Sequence, residues 1–481
     1  MATTNGNRKI LDLKRWEFCT PAPAATVAGA FVASSRHYRQ QQLYVTSASV
    51  HHLYNPLEDA WVQIPSGALA GTFAVGACGT STSVGPSGTA TAGTTSTITT
   101  NLTLARDLRG YSIHITGGGA NNGVTLPILS NTVGTNSVIT VATQGTAFTA
   151  STTYRLLTPR WYVLNAITAS GTTTANVFKF YDFALNTWSA AETGATDGIA
   201  PAAVIGTDSK LIATPSWLGE GYNAFATGTA TAGGASTLTN SAKTWTTNQW
   251  TNYQIRIVSG TGAGQIRTIA SNTGTVLTTS TAWTTQPDAT SVYNIEGNDD
   301  FIYYLGSNAV TLFRYSISGG TWTTLSPTAA RAAAPGVGMS GHWVWEATDA
   351  AWTNESDIRN GRFIYSFRGT AGAVLDRYDI ALNTWASALT YAPATEVFGA
   401  GTKYLYRSDH IYAQKDATGR WFRYNVVTNE QDGWSTMTYT QGAAIAGDTA
   451  FDVHYKDGAT TIDYVYMLLN TSTVLLRAQV V

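Results

Sequence analysis

Short stretches in which apolar and polar residues alternate recur along the chain, and turns rich in Asn, Asp or Gly separate them. Two stretches are nearly identical: YDFALNTWSAAE starts at Tyr181, and YDIALNTWASAL starts at Tyr378. Weaker copies are HHLYNPLEDAWVQIPSG, TLFRYSISGGTWTTLSP and RWFRYNVVTNEQDGWSTM. Each copy has an apolar run ending near Tyr, then a polar turn, then a Trp that opens a second short run. This pattern predicts antiparallel β-strands joined by tight turns.

Two further apolar runs precede each copy. The nearer run is GRFIYSF or DDFIYYLG in two of the units, and the farther run is EVFGAGTKYLY or ALAGTFAVGAC. The farther run is rich in Gly and Ala, which suits a first strand that crowds a central axis. A repeated four-stranded unit with a first strand of this kind predicts the blades of a β-propeller.

The phrase Tyr-Asp-x-x-x-Asn-x-Trp resembles the kelch repeat, in which each blade takes about 50 residues. The resemblance covers the four-stranded units and implies a propeller fold. The chain departs from the kelch pattern after the second strand, where YSFRGTAG has Gly369 and Gly372 instead of two adjacent glycines.

Five units are marked by a Trp, and the two termini supply a sixth. The marks are Trp61, Trp188, Trp322, Trp385 and Trp434. The N-terminal RWEFCTPAPAATV parallels TWASALTYAPATEV, so Trp16 is predicted to lie in the outer strand of the last blade. A ring completed by strands from both termini leaves no blade incomplete and removes an exposed edge. We therefore predict an all-β fold, a six-bladed kelch-like β-propeller closed by both termini.

Two of the blades are oversized, and the excess residues form inserts that resemble each other. GTATAGTTSTITT in the first insert matches GTATAGGASTLTN in the second. Both fall between the first and second strands of their blades. The predicted division is propeller 1–83, module 1 84–157, propeller 158–221, module 2 222–298 and propeller 299–481. We expect the modules to lie side by side on one face, each as a separate unit, because an insert with adjacent ends costs its host little.

Module 2 resembles a small β-domain that recurs in virion proteins of tailed bacteriophages. The shared sequence segments are YQIRIVSGTGAGQIRTI and PDATSVYNI, within roughly residues 245–295. This resemblance implies a phage particle. Gly260, Gly262 and Gly264 in this stretch lie between two strand-like runs. They predict a hairpin turn with positive φ, and not a nucleotide-binding loop, which would have to lead into a helix.

Composition excludes several classes of function. The net charge is −1 and charged residues make up 12% of the chain, about half the usual ~25%, so there is no basic field for nucleic acid. No apolar run approaches the ~18 residues that would span a membrane. MATTNGNRKI lacks the apolar segment of a secretory signal. We expect a protein made in a host cytoplasm and released by lysis.

No pattern predicts a catalytic, cofactor-binding or metal site. Adjacent His51 and His52 would face opposite sides of a strand. The other candidates are scattered: His114, His342, His410 and His454 lack ligand spacing, Cys19 and Cys78 are predicted to be small buried thiols in strands, and Asp349 and Asp432, partial echoes of a sialidase motif, are predicted to be turn residues. We expect no enzymatic activity, no metal and no cofactor.

Trp245, Trp250 and Trp283 all lie in module 2. They could form a stacking platform for a glycan, but a small module also needs large side chains for its own core, and we favour the core. The leading hypothesis is a non-enzymatic structural protein of a tailed-phage virion, on the head surface (capsid decoration) or in the tail. Its partners would be other virion proteins, contacted by multiple copies per particle. The alternative is a protein that binds a host receptor or polysaccharide, and a glycan-active enzyme is the weakest option.

Overall fold

The alternating runs of the sequence form β-strands, and these strands group into small antiparallel sheets. The computed structural model describes residues 16–25, 31–34, 42–47, 50–65, 77–166, 176–189, 206, 208–214, 216–218, 223–307, 309–345, 355, 357–370, 372–390, 398–399, 402–407, 409–415, 420–436, 450–457, 460–469 and 472–480. All regular elements in these residues are strands. The fold is therefore all-β, as the alternation predicted.

Six four-stranded sheets, here called blades 1 to 6, follow one another along the chain. The outer strand of blade 6 is β1 (Trp16–Phe18). Blade 1 contains β2 (Phe31–Ser34), β3 (Leu43–Ser47), β4 (Val50–Asn55) and β5 (Ala60–Ile64). Blade 2 contains β6 (Cys78–Thr82), β15 (Arg160–Ala166), β16 (Asn176–Asp182) and β17 (Thr187–Trp188). Blade 3 contains β18 (Lys210–Ala213), β26 (Phe301–Leu305), β27 (Leu312–Ser316) and β28 (Thr321–Leu325).

The remaining blades repeat this order. Blade 4 contains β29 (His342–Trp345), β30 (Asn360–Phe367), β31 (Leu375–Asp379) and β32 (Thr384–Leu389). Blade 5 contains β33 (Lys403–Arg407), β34 (His410–Lys415), β35 (Arg420–Asn425) and β36 (Glu430–Thr436). Blade 6 contains β37 (Ala450–Asp457), β38 (Thr460–Leu468) and β39 (Leu475–Val480), and β1 pairs with β39, with Trp16 opposite Ala478.

The first strands of the six blades contact one another in cyclic order. Strand β2 contacts β6, β6 contacts β18, and the series continues through β29, β33 and β37 back to β2. Radial repetition of four-stranded sheets about a shared axis is the arrangement of a six-bladed β-propeller.

The two inserts, residues 84–157 and residues 223–298, lie between the first and second strands of blade 2 and blade 3, respectively. Within each insert the strands pair with one another. Module 1 contains β7 (Ser87–Thr89), β8 (Ala92–Gly93), β9 (Thr97–Thr99), β10 (Ser112–Gly117), β11 (Thr125–Pro127), β12 (Ser130–Asn131), β13 (Val138–Thr140) and β14 (Thr153–Leu157). Module 2 contains β19 (Ala226–Thr229), β20 (Ala232–Gly234), β21 (Thr237–Thr239), β22 (Gln254–Ser259), β23 (Ile266–Asn272), β24 (Val276–Thr279) and β25 (Val292–Glu296). The exact domain boundaries remain predictions.

The repeated phrase builds the turn between the third and fourth strands of a blade. A Tyr hydroxyl donates to a side-chain oxygen five residues later: Tyr54 to Asp59 (2.6 Å), Tyr181 to Asn186 (2.6 Å), Tyr378 to Asn383 (2.7 Å) and Tyr424 to Asn429 (2.6 Å). All four acceptor residues have positive φ, between 48° and 60°, and blade 3 has Gly320 at this place with φ 60°. Asn, Asp and Gly adopt this backbone region most easily.

Residues of the repeated phrase also join four of the blades to the blade before them. The side-chain amides of Asn383 and Asn429 donate to the carbonyls of Ser326 (3.0 Å) and Thr390 (2.6 Å). The indoles of Trp61 and Trp188 donate to the carbonyls of Thr20 (2.8 Å) and Pro65 (2.6 Å). Each of these carbonyls lies within two residues of the end of the outer strand of the preceding blade. At these four junctions a residue of the repeated phrase therefore joins neighbouring blades, through its Asn in two and through its Trp in the other two.

Candidate interaction surface

The two modules and the Tyr–Asn turns lie on the same side of the propeller. Successive strands of a blade run antiparallel, so the connection from first to second strand and the turn from third to fourth strand emerge at the same end. We call this side the module face. It is the side on which the inserts add new surface, and it is therefore the candidate interaction surface.

Module 1 packs onto the outer turn of its own blade, blade 2. The guanidinium of Arg106 donates to the hydroxyl of Tyr181 (2.9 Å) and to the side-chain oxygen of Asn186 (2.8 Å). The same guanidinium lies 4.8 Å from the ring centre of Phe183, and Tyr111 packs against that ring. Module 1 thus packs against the turn residues of the repeated phrase in blade 2.

Module 2 packs onto blades 3 and 4. The amide of Asn252 donates to the carbonyl of Ile380 in blade 4 (2.9 Å) and accepts from Arg314 in blade 3 (2.8 Å). The indole of Trp245 donates to the carboxylate of Glu355 (2.8 Å), which also pairs with Lys243. Module 2 therefore reaches across from its host blade to the next one.

Each module shares a hydrophobic cluster with the blades beneath it. One cluster joins Leu238 and Tyr293 of module 2 to Trp343 and Ile364 of blade 4. The cluster of module 1 extends in the same way into blades 1 and 2. This differs from the expectation that each module is a separate unit, because the buried side chains form one continuous core. Excising a module would expose apolar side chains of the blades.

The modules also touch each other, and they do so through equivalent glycines. Gly123 follows β10 in module 1, and Gly264 follows β22 in module 2, each donating its amide to the carbonyl of an equivalent Ile at 2.7 Å. A Cβ placed on Gly264 would lie 2.3 Å from the Cα of Gly123. Only glycines allow two backbones to approach this closely. The expectation that the modules lie side by side therefore agrees with the contact at these glycines.

A buried histidine lies beside this seam. His114 of β10 is 1% exposed, and its Nδ1 lies 2.9 Å from the hydroxyl of Thr125. Burial, together with the smaller effect of the charges on Arg155 in module 1 and Arg256 in module 2, lowers the pKa of His114 to about 3. Arg155 pairs with Asp299 (2.9 Å) and Arg256 with Glu296 (3.1 Å). The imidazole is therefore neutral at pH 7, and each guanidinium is paired with a carboxylate.

The three module tryptophans are core residues. Trp245, Trp250 and Trp283 are 6%, 0% and 7% exposed and belong to the cluster of module 2. This burial favours the core hypothesis over a glycan platform. The glycine-rich stretch is also as predicted: it forms the turn of the β22–β23 hairpin, and Gly260, Gly262 and Gly264 all have positive φ.

The scattered candidates occupy separate places. His51 and His52 are both buried on β4, and His51 bonds the hydroxyl of Tyr44 (2.6 Å). Cys19 and Cys78 are both buried, as predicted, although Cys19 lies just after β1 and not inside a strand. Within the described part of the chain, no three His, Cys, Asp or Glu side chains form a group that could hold a metal ion.

One prediction about the acidic residues is wrong. Asp432 lies within strand β36, opposite Arg423 and beside a register shift, so it is not a turn residue. The turn of blade 5 comes earlier, at Asn429, and the chain is already paired at Glu430. The structure does not describe Asp349 or the side chain of His454. The predictions made for these two residues therefore stay predictions.

Sequence reasoning missed the residues that fasten the modules. Arg106, Asn252 and Glu355 carry the module–blade contacts, and Gly123 carries the contact between modules. Their partners are distant in sequence, so no local pattern marks them. The one usable signal was the glycine pattern shared by the two modules.

Comparison with known proteins gives only distant matches. No family model and no curated protein matches the chain. Among solved structures, it is similar to the fungal lectin of Aleuria aurantia, a six-bladed β-propeller that recognises fucose, with 10% identity, a TM-score of 0.39, and coverage of 95% of this chain and 93% of the lectin. It is also similar to AofleA from Arthrobotrys oligospora, with 12% identity, a TM-score of 0.40, and coverage of 96% and 86%. At these scores the similarity says nothing about what this chain binds, and the kelch resemblance stays a resemblance.

Within the residues described, no helix is long and apolar enough to cross a membrane.

Proposed function

We propose that the chain is a non-enzymatic structural component of a tailed-phage virion, on the head surface or in the tail, which binds neighbouring virion proteins through its module face. The observation that carries the proposal is the mutual fastening of the modules: Gly123 touches Gly264, and both modules share hydrophobic clusters with the blades. A surface held in this way loses little conformational entropy when a partner docks. It is suited to permanent contact.

The buried carboxylate of Asp376 supports a contact protein over an enzyme. Asp376 is fully buried and accepts from Arg331 (2.7 Å) and Arg368 (2.7 Å). Burial raises the pKa of Asp376, but the hydrogen bonds and charges of these two guanidiniums outweigh it and lower the pKa overall. A carboxylate held in its charged form by fixed partners is poorly placed to take up and return a proton. We therefore propose that the protein hydrolyses no polysaccharide.

The assignment to a phage particle is inferred from the sequence of module 2, which resembles a β-domain of tailed-phage virion proteins. The proposed location is the virion, with synthesis in the host cytoplasm and release by lysis. Capsid or tail proteins would be the partners, and several copies would be present per particle. No nucleic acid or membrane contact is proposed.

The test compares two exposed valines on opposite faces. Val133 is 63% exposed in module 1, and Val310 is 43% exposed in the connection between β26 and β27, which lies on the face opposite the modules. Phage carrying Val133→Glu should incorporate less of the protein, as measured by quantitative mass spectrometry of purified particles. Val310→Glu should be incorporated normally. Absence of the wild-type protein from purified particles would refute the proposal.

Glycan binding is the second candidate, and Trp345 is the observation that favours it. Trp345 ends the first strand of blade 4 on the module face, is partly exposed, and stacks on Trp343 at 5.7 Å. A fixed, partly exposed indole can stack on the apolar face of a sugar ring. Binding on a glycan array that Trp345→Ala abolishes and Phe18→Ala leaves intact would support this candidate. Release of reducing sugar by the purified protein would instead indicate an enzyme.

A further inference from the structure

The seam between the two modules is polar, although each module is held to the blades by apolar side chains. The hydrophobic cluster of module 1 extends into blades 1 and 2, that of module 2 extends into blades 3 and 4, and no residue belongs to both. The contacts across the seam include the approach of Gly123 to Gly264 and the ion pair of Arg155 with Asp299, the residue that directly follows module 2. Opening the seam would therefore expose no shared apolar core, and it should cost less free energy than unfolding either module.

His114 lies on the side of β10 that faces the seam. Its two neighbours along the strand belong to the core of module 1, and successive residues of a strand point to opposite sides, so His114 points away from that core. It is nevertheless only 1% exposed. Module 2 lies on this side, because Arg155, directly opposite His114 in the sheet, bonds Asp299, and the charge of Arg256 acts on His114.

The imidazole of His114 has a partner on only one of its two nitrogens. Its Nδ1 lies 2.9 Å from the hydroxyl of Thr125 on β11, which is uncharged. Its Nε2 is buried and has no hydrogen-bond partner among the residues that the structure describes. A second proton on this ring would therefore have no acceptor inside the closed seam, and a buried charge without a partner is costly.

The charged side chains of β14, β22, β25 and the residue that leads into blade 3 already balance one another. They form two ion pairs: Arg155 with Asp299 (2.9 Å), and Arg256 with Glu296 (3.1 Å). Both carboxylates thus accept from guanidiniums. Protonation of His114 would add a third positive charge beside two guanidiniums, with no third carboxylate on these elements to offset it.

We propose that the seam is an acid-sensitive contact, which is closed at pH 7 and opens, with both modules still folded, when His114 takes up a proton. Each module keeps its own contacts with the blades when the seam opens, since the two hydrophobic clusters are separate. This property of the fold does not depend on what the module face binds.

The size of the effect follows from the difference in proton affinity between the closed and the open seam. In the closed seam the pKa of His114 is about 3, and once water reaches the imidazole the pKa returns towards its ordinary value of 6.5. The open form binds the proton more tightly, so acid favours opening. Each pH unit between these two values favours opening by up to about tenfold, and a change from pH 7 to pH 4.5 therefore shifts the equilibrium by up to about 100-fold.

The test measures the distance between spin labels on the two modules by double electron–electron resonance. Val133→Cys carries the label on module 1 and Ala282→Cys carries it on module 2, and both positions are exposed. The two native cysteines are buried and should not take up the label. At pH 4.5 the distance between the modules should be longer than at pH 7. The matched pair Val133→Cys and Thr91→Cys, with both labels exposed on module 1, should keep its distance.

His114→Gln in the same labelled chain separates the histidine from other effects of acid. Gln can keep a hydrogen bond to Thr125 but does not titrate, so the distance between the modules should equal the wild-type value at pH 7 and stay the same at pH 4.5. An unchanged distance at pH 4.5 with His114 present, or the same lengthening in His114→Gln, would overturn the proposal. Lengthening of the pair within module 1 would also overturn it, because the module would then be unfolding.

Discussion

Asn383 illustrates how a single side chain performs several tasks in the outer turn of a blade. It accepts from the hydroxyl of Tyr378, donates to the carbonyl of Ser326 in the preceding blade, and adopts a φ of 49°. The first contact shapes the turn, the second joins two blades, and the backbone angle is one that Asn tolerates better than most residues. Its substitution should therefore affect both the turn and the junction.

Asn383→Ala is expected to lower the free energy of unfolding by about 2–3 kcal/mol, since it removes both hydrogen bonds and strains a positive-φ residue. Asn383→Gly removes the same hydrogen bonds without the strain and should cost less. Chemical denaturation of the three proteins measures both differences. Equal losses in the two variants would show that backbone strain contributes nothing at this turn.

His114 predicts a dependence of stability on pH. Its folded pKa of about 3 lies below the ordinary value of 6.5. Between these values the unfolded chain binds a proton that the folded chain excludes, so acid favours unfolding there. The contribution of His114 is complete above pH 6.5 and is lost progressively as the pH falls towards 3.

His114→Gln should flatten this dependence, because Gln can keep a hydrogen bond to Thr125 but does not titrate. The slope of unfolding free energy against pH between 6 and 4 should be smaller than in the wild type by up to about 1.4 kcal/mol per pH unit. Urea denaturation at several pH values provides the measurement. An unchanged slope would mean that His114 is protonated in the folded protein.

At the scale of elements, the seam between the modules depends on two hairpin turns meeting. Gly264 has a φ of 87°, and a Cβ on it would lie 2.3 Å from the Cα of Gly123. Gly134 also has positive φ, 114°, but a Cβ there would meet nothing within 4 Å. Substitution of Gly134 by Ala therefore tests backbone strain alone, and substitution of Gly264 by Ala tests backbone strain together with a steric clash.

Gly264→Ala is expected to destabilise the protein more than Gly134→Ala, by about 1–3 kcal/mol, because only the first change forces two backbones apart. The measurement is again the free energy of unfolding in urea. If the two variants lose the same free energy, the modules can separate without cost and do not form one fixed surface.

The whole molecule depends on a strand from its N-terminal region. Strand β1 pairs with β39, and the guanidinium of Arg477 bonds the carboxylate of Glu17 (3.0 Å). The residues that follow β1 continue to blade 1, where the carbonyl of Thr20 accepts from Trp61. This short segment connects blade 6 to blade 1.

Deleting residues 1–22 should leave the outer edge of β39 unpaired and remove the contact with Trp61, giving protein that aggregates or melts at a lower temperature. The matched control is deletion of residues 1–15, which keeps β1. Size-exclusion chromatography and thermal melting distinguish the two. A soluble 1–22 deletion with an unchanged melting temperature would show that β1 is dispensable.

The sequence by itself determined the features that depend on neighbours along the chain. Period-two alternation specified the strands, since side chains on a strand alternate between its two faces. The Tyr378–Asn383 bond joins residues five apart, so its repetition was visible as a phrase. The glycines of the β22–β23 turn were predictable for the same reason, because the turn is closed by local backbone geometry.

Only the tertiary structure decided the contacts between distant segments. Gly123 meets Gly264, Lys243 pairs with Glu355, and Lys403 reaches Asp208 (3.2 Å) across two blades. Asp432 lies in a strand because β36 pairs with β35, although its own neighbours favour a turn. Such partners are selected by how whole blades and modules pack, and packing depends on the three-dimensional arrangement of many side chains at once. No spacing along one chain encodes it.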